Sequence, residues 1–204
     1  QSSSAAVQVY VQQGNILPVI AQGTSRSVRA GETLSLDATG SYDEDQAGVT
    51  GLGAGLVYSW SCAQIKPVFI HNCSSIFVVA DSQSSAPTYA LTAKSGAANA
   101  VAQITLFLLD ATLTRSAETV VTVTVLPSLS PVVSLSSNVP ATGIFNSNRE
   151  LQLTGTVGFP ASFNGTAVWS VDDTSNFNFA ASVKSPTSVR ISPATNTRLS
   201  TIYL

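Results

Sequence analysis

Apolar and polar positions alternate with a period of two through most of the chain, most clearly between Gly31 and Cys62. Leu34, Leu36 and Ala38 share one face, with Thr33, Ser35 and Asp37 opposite. After an acidic turn and a glycine-rich loop, Leu56, Tyr58, Trp60 and Cys62 share a face opposite Val57, Ser59 and Ser61. This pattern predicts antiparallel strands with one buried face. A Trp in mid-strand supplies a large part of a small β core. Leu34, Leu36, Tyr58 and Trp60 are therefore the expected centre of packing.

The same alternation predicts further strands on either side. Val7, Val9 and Val11 alternate with Gln8 and Tyr10, and a Pro-containing link follows. Beyond Cys73 come a short apolar run from Ile76 and a strand over 88–93 with Tyr89 and Leu91 inward. Residues 99–109 carry Ala100, Ala102, Ile104, Leu106 and Leu108 on one face. Val101, Phe107 and Leu109 make the other face apolar too, which predicts a central strand. Residues 117–125 close the set, with Val121, Val123 and Val125 inward. No segment has helical periodicity, and short strands between turn clusters predict an all-β sandwich.

An internal repeat sets the expected domain boundaries. The run from Val121 to Leu135 is similar to that from Val7 to Ala21, and Arg149–Val157 is similar to Gly31–Gly40. The Trp169 strand likewise is similar to the Trp60 strand, and the order of elements is the same in both halves. Residues 1–13 then read as the closing strand of a preceding module with its linker. Residues 14–126 read as one full sandwich, and 127–204 as a second, incomplete one whose core holds Trp169.

Composition narrows the function classes. The 204 residues are 44% hydrophobic and 10% charged, with a formal net charge of −2 and Lys only at positions 66, 94 and 184. So little positive charge argues against nucleic acid and against attraction to an anionic membrane. The apolar run 104–109 is too short to span a bilayer. Any membrane anchor is expected in segments outside this sequence, which reads as a piece of a longer protein.

Two cysteines at positions 62 and 73, with no CxxC and a single His in the chain, make poor metal ligands. They read as a short disulfide loop in an oxidising compartment or as two reduced thiols, one of them beside Trp60. Asn72-Cys73-Ser74 and Asn164-Gly165-Thr166 are N-glycosylation sequons in expected loops. Together with the cysteines they favour an extracellular protein bearing glycans at Asn72 and Asn164.

Gly31, Leu34, Leu36, Ala38, Ser41, Asp43 and Asp45, followed by Tyr58 and Trp60, form the pattern of a PKD module. Trp60, Cys62 and Cys73 are similar to its REJ variant, found in polycystin-1-like proteins and in sperm receptors for egg jelly. The resemblance covers about 28–125; in the second repeat the acidic turn is missing and no Cys follows Trp169. It implies tandem immunoglobulin-like or fibronectin-III-like β-sandwiches, the second one truncated. It also implies an extracellular or cell-surface setting, often ciliary or gametic, with a structural or adhesive role and no catalysis.

The remaining candidates for chemistry are weak. Asp43 and Asp45 raise the question of calcium, but an EF-hand loop starting at Asp43 would put Ala47 and Ala54 at ligand positions. A turn whose Asp side chains bond their own backbone explains them as well. Gly51–Gly55 precedes a strand rather than a helix, so it reads as a mobile loop and not a phosphate cradle. His71 and Cys73 would need a free thiolate to act as a nucleophilic pair. Arg26 and Arg29 read as solvated surface charges.

No cofactor is expected. The expected partners are other domains of the same chain and extracellular proteins or further copies of this one. Three roles fit, in this order: a spacer and protein-interaction scaffold of a cell-surface protein, a subunit of an extracellular filament or sheath, and a carbohydrate-binding accessory domain. The third would need a row of exposed aromatics, for which Phe159, Phe163, Phe177 and Phe179 are candidates.

Overall fold

The computed structural model describes residues 3–79, 85–112, 114–139, 150–160, 164–170, 183, 186–191 and 197–203. Among the described residues the first module has nine strands: β1 (Ile16–Leu17), β2 (Ser25–Arg29), β3 (Thr33–Asp37), β4 (Tyr42–Asp43), β5 (Val57–Lys66), β6 (Phe77–Val79), β7 (Thr88–Ala93), β8 (Val101–Leu109) and β9 (Ser116–Leu126). Two sheets face each other, one in the order β2-β9-β8-β5 and the other β3-β7-β6, while β1 and β4 form a small separate pair. The architecture is an all-β sandwich, as the alternation predicts.

Register explains why the alternation was so clean. β5 and β8 pair antiparallel with Trp60 opposite Leu106 and Tyr58 opposite Leu108. β8 pairs antiparallel with β9, Ile104 opposite Val121 and Ala102 opposite Val123. Ala102, Ile104, Leu106, Leu108, Val121, Val123 and Val125 are all fully buried. Across the core, β3 and β7 bring Leu34 opposite Leu91 and Leu36 opposite Tyr89. Each buried Leu, Ile or Val is worth about 1.5–3 kcal/mol over the exposed state. β8 is central, and β2 closes the sheet by running parallel to β9, from Ser25 beside Thr122 to Arg29 beside Leu126.

Trp60 lies where the sequence expected it. Its ring stacks on Tyr89 at 5.3 Å between centroids, and its indole N–H donates to the Ala86 carbonyl at 2.8 Å. The Tyr58 hydroxyl donates to the Ala38 carbonyl at 3.3 Å. Both buried polar tips therefore have partners, as buried aromatics of this kind require.

The second unit contains β10 (Val132–Ser137), β11 (Gln152–Gly158), β12 (Gly165–Val168), β13 (Ser188–Ile191) and β14 (Thr197–Tyr203). β10-β11-β14 form one antiparallel sheet, and β12 pairs with β13. Gly155 is there because Trp169 covers it: a Cβ at that position would come within 3.1 Å of the indole ring. Val157 is buried, whereas Val133, Leu135 and Val168 are 54%, 59% and 67% exposed.

Two expectations need correction. Val7–Val11 forms no strand here; it pairs with no strand among the described residues, and Val7, Val9, Tyr10 and Val11 are 76–93% exposed. Its alternation is genuine, but a strand needs a neighbouring edge for its hydrogen bonds. Gly51–Gly55 is a built turn rather than a mobile loop: Gly51–Ala54 is a 3-10 turn whose Gly51 N–H donates to the Ser41 carbonyl at 2.7 Å. Gly51 is buried with φ of 60°, and a Cβ there would meet the Thr39 oxygen at 2.9 Å.

Candidate functional site

Three features project from this core: a cystine loop, a carboxylate cluster at one pole, and a junction at the other. In the first, Cys62 and Cys73 are joined by a disulfide across a Cα separation of 5.6 Å. The sulfur of Cys73 is thereby unavailable as the nucleophile considered beside His71. The loop between them is organised by Gln64, a buried polar residue that the alternation did not single out. Gln64 exchanges backbone hydrogen bonds with Ile70, and its N–H also reaches the Asn72 carbonyl. Its side-chain amide donates to the Val68 carbonyl at 2.8 Å and its Oε1 accepts from the Ser75 hydroxyl.

That scaffold holds Val68, Phe69 and Ile70 out in solvent, at 66%, 55% and 38% exposure. Phe69 meets His71 edge-on at 4.8 Å. Asn72 is exposed beside them, its Oδ1 accepting from the Ser74 N–H and hydroxyl at 3.0 and 2.7 Å. Asn164, just before β12, is exposed as well.

At the pole where β9 begins, Arg115 gathers the acidic turn. It holds Asp43 with two hydrogen bonds of 2.6 and 3.0 Å, Asp45 at 2.9 Å and Asp110 at 3.3 Å. Asp43 and Asp110 are buried. The oxygens considered for calcium thus surround a guanidinium, the planar donor suited to such carboxylates. Hydrogen bonding from Arg115 holds the Asp43 carboxyl below its ordinary range, against the opposing effect of burial. Bonding from Thr112 first, then from the Arg115 and Thr114 amides, depresses Asp110 strongly.

The same cluster fastens the incoming chain. Gly14 donates its N–H to Asp45 at 2.9 Å and gives its carbonyl to Arg115 at 2.9 Å, while the Asn15 N–H reaches Glu44 at 2.8 Å. Only glycine fits at position 14, since a Cβ would lie 2.7 Å from that of Glu44.

At the opposite pole, where β9 ends, Arg29 contradicts its reading as a solvated charge. Its side chain is 12% exposed and pairs with Glu32 at 2.8 Å. It also donates to the Gly158 carbonyl at 3.0 Å and the Ser130 carbonyl at 3.4 Å. It therefore ties β2 to the second unit, next to an open cleft between Arg26–Leu34 and Val132–Ser134.

The sequence-predicted sites are thus distributed around the sandwich and share no cleft. Phe159 covers Gly165, where a Cβ would come within 2.5 Å of its ring; Phe163, Phe177 and Phe179 lie outside the described residues. Among the described residues, no helix is long and apolar enough to cross a membrane.

A family model for the REJ domain matches residues 1–197, and the chain belongs to the REJ domain family. The match continues through the second unit, well beyond the stretch that carries the acidic turn and the cysteines. REJ domains are non-catalytic modules, extracellular in polycystin-like proteins. No curated protein matches the chain. Among solved structures, the chain is similar to a nucleoside hydrolase-related hypothetical protein from Saccharophagus degradans that is associated with carbohydrate metabolism. Identity is 24% and the TM-score 0.42, over 55% of this chain and 26% of that one. The chain thus spans about a quarter of that protein's length.

Proposed function

We propose that this chain is a non-catalytic structural and adhesive section of a cell-surface protein of polycystin-like type, serving as a spacer and protein-interaction scaffold. The supporting observation is the separation of its two connections. The chain arrives at Gly14, held by Arg115 immediately before β9, and leaves after Leu126 at the far end of that strand. β9 is 11 residues long, so the connections lie roughly 35 Å apart. A module joined at opposite poles lengthens a chain, whereas one joined at a single pole does not.

In this reading 14–126 is the complete module, 1–13 brings the closing strand of a preceding one, and 127–204 starts the next. Arg29 limits bending between the last two. The disulfide and glycans at Asn72 and Asn164 belong to an extracellular setting, such as a ciliary or gamete surface. The exposed Val68–Ile70 tip is the protein-contacting element.

Small-angle scattering of the chain and its Arg29→Ala variant tests the spacer. The expected result is an elongated particle about twice as long as residues 14–126 alone, with a broader range of dimensions in the variant. A particle no longer than one module would overturn the reading.

A further inference from the structure

The cystine loop carries a sequon whose middle residue is one half of the bridge. Asn72-Cys73-Ser74 supplies the asparagine and the hydroxyl two residues on that N-glycosylation requires. Cys73 is at the same time joined to Cys62 on β5. One tripeptide therefore takes part in two covalent reactions of the same compartment, and the folded geometry fixes how each limits the other.

In the closed loop every carbonyl of the sequon is taken. That of Asn72 accepts from the Gln64 N–H at 3.3 Å, and that of Cys73 from the Ile76 and Phe77 N–H groups at 3.0 and 2.8 Å. The Ser74 carbonyl accepts from the Lys94 ammonium at 2.6 Å, and the Ser74 hydroxyl donates to Asn72 Oδ1 at 2.7 Å. Cys73 itself is only 4% exposed. Glycan transfer needs the acceptor amide held against the donor sugar in one geometry, so the transferase has to draw the tripeptide into its own cleft. Here the tripeptide is a turn fastened to β5 and to the end of β7, with the bridge holding its middle residue down. The closed module is therefore no acceptor at Asn72.

The opposite order meets no such obstacle. Asn72 is exposed, and its side-chain hydrogen bonds fall on Oδ1, so among the described residues Nδ2 has no partner to lose. A glycan attached before the loop closes leaves the turn, the bridge and the core as they are. Asn164-Gly165-Thr166 is an internal contrast, with an exposed asparagine and no cysteine in the sequon.

We propose that occupancy of Asn72 is set by a race between glycan transfer and closure of Cys62–Cys73 in the newly made chain. The module is then produced in two forms, with and without a glycan beside the exposed Val68–Ile70 tip. This rests on the extracellular reading above and adds a regulation of its contact element. In transfer, Asn72 Nδ2 bonds to the anomeric carbon of a lipid-pyrophosphate-linked oligosaccharide. The bond from that carbon to the pyrophosphate oxygen breaks, the pyrophosphate leaves with the electron pair, and Nδ2 gives up a proton. In closure, the thiols of Cys62 and Cys73 lose their protons and pass two electrons to the disulfide of an oxidising protein, which is reduced to a dithiol. Transfer after closure is barred; closure after transfer proceeds.

The test expresses the whole chain behind a secretion signal in cultured animal cells. Occupancy at Asn72 and Asn164 is read by peptide mass spectrometry after enzymatic glycan removal in heavy-oxygen water. Cys62→Ser abolishes the bridge and leaves the sequon intact. The expected result is partial occupancy of Asn72 in the unmodified chain, rising to nearly every molecule in Cys62→Ser, with Asn164 unchanged. Thiol reductant applied during synthesis should produce the same rise in the unmodified chain, a measurement that does not depend on whether the variant folds.

Equal occupancy of Asn72 with and without the bridge would overturn the race, as would a rise shared equally by Asn164. If Asn164 carries a glycan in that case, the extracellular reading stands and only the race falls. Bare asparagines at both positions in every chain would count against the extracellular reading as well.

Discussion

Arg115 and Asp43, 72 residues apart in sequence, form a two-point pair with Nη2 2.6 Å from Oδ2 and Nη1 3.0 Å from Oδ1. Because Asp43 is buried and Asp45 and Asp110 share the same guanidinium, removing Arg115 leaves carboxylates without their counter-charge. Arg115→Met is expected to lower the melting temperature of the first module markedly, and far more than Arg26→Ala at the other pole. It should also free Gly14, raising amide exchange at Gly14 and Asn15. Calorimetry and hydrogen exchange read the two effects separately.

Acid should act through the same cluster. Asp43 and Asp110 both have folded-state values below the ordinary carboxylate range. In the unfolded chain such groups bind protons near pH 4, before the folded ones do. Their contribution is therefore complete above that range and lost progressively as pH falls below it. Thermal stability from pH 7 down to 5 should change little through these groups and then drop steeply below about pH 4. In Arg115→Met the decline should be shallower, because Asp43 loses the partner that holds its folded-state value down against the effect of burial.

Trp60→Ala removes the stack on Tyr89 and the hydrogen bond to Ala86 together. The expected cost is about 3–5 kcal/mol, measured by urea denaturation. A variant with an unchanged midpoint would contradict the placement of Trp60 at the centre of the core.

Reducing Cys62–Cys73 opens a short loop at the edge of a core that otherwise stands on β8 and β9. Chain-entropy reasoning gives a loss of about 3 kcal/mol. The fold should persist, while proteolysis should shift to the 67–72 segment as Val68–Ile70 lose their support. Melting curves with and without reductant, followed by peptide mapping, test this.

The core was legible in the sequence because burial on a pleated strand repeats every second residue. Leu34, Leu36, Tyr58, Trp60 and Leu106 could be assigned without knowing their neighbours. The polar organisation was not legible, since it depends on contacts between distant segments. Arg115 meets Asp43 only because β4 and the start of β9 converge, and Arg29 meets Gly158 across the junction. Nothing local distinguishes either Arg from a surface charge. Gln64 was hidden for a related reason: it lies just before the pairing shift between Gln64 and Lys66, where strict alternation ends. Val7–Val11 shows the opposite failure. Its pattern records the environment a strand is suited to, and alternation alone does not supply the neighbouring edge that a strand needs.

The most direct test of the modular organisation is the amide NMR spectrum of residues 14–126 and of 127–204, each expressed alone. Residues 14–126 should give a fully dispersed spectrum, with the Trp60 indole proton resolved and hydrogen-bonded. Residues 127–204 should give a collapsed one, because Val133, Leu135 and Val168 are left exposed among the described residues. A collapsed 14–126, or a well-dispersed 127–204, would contradict the division of the chain into one closed module and one that needs strands from outside.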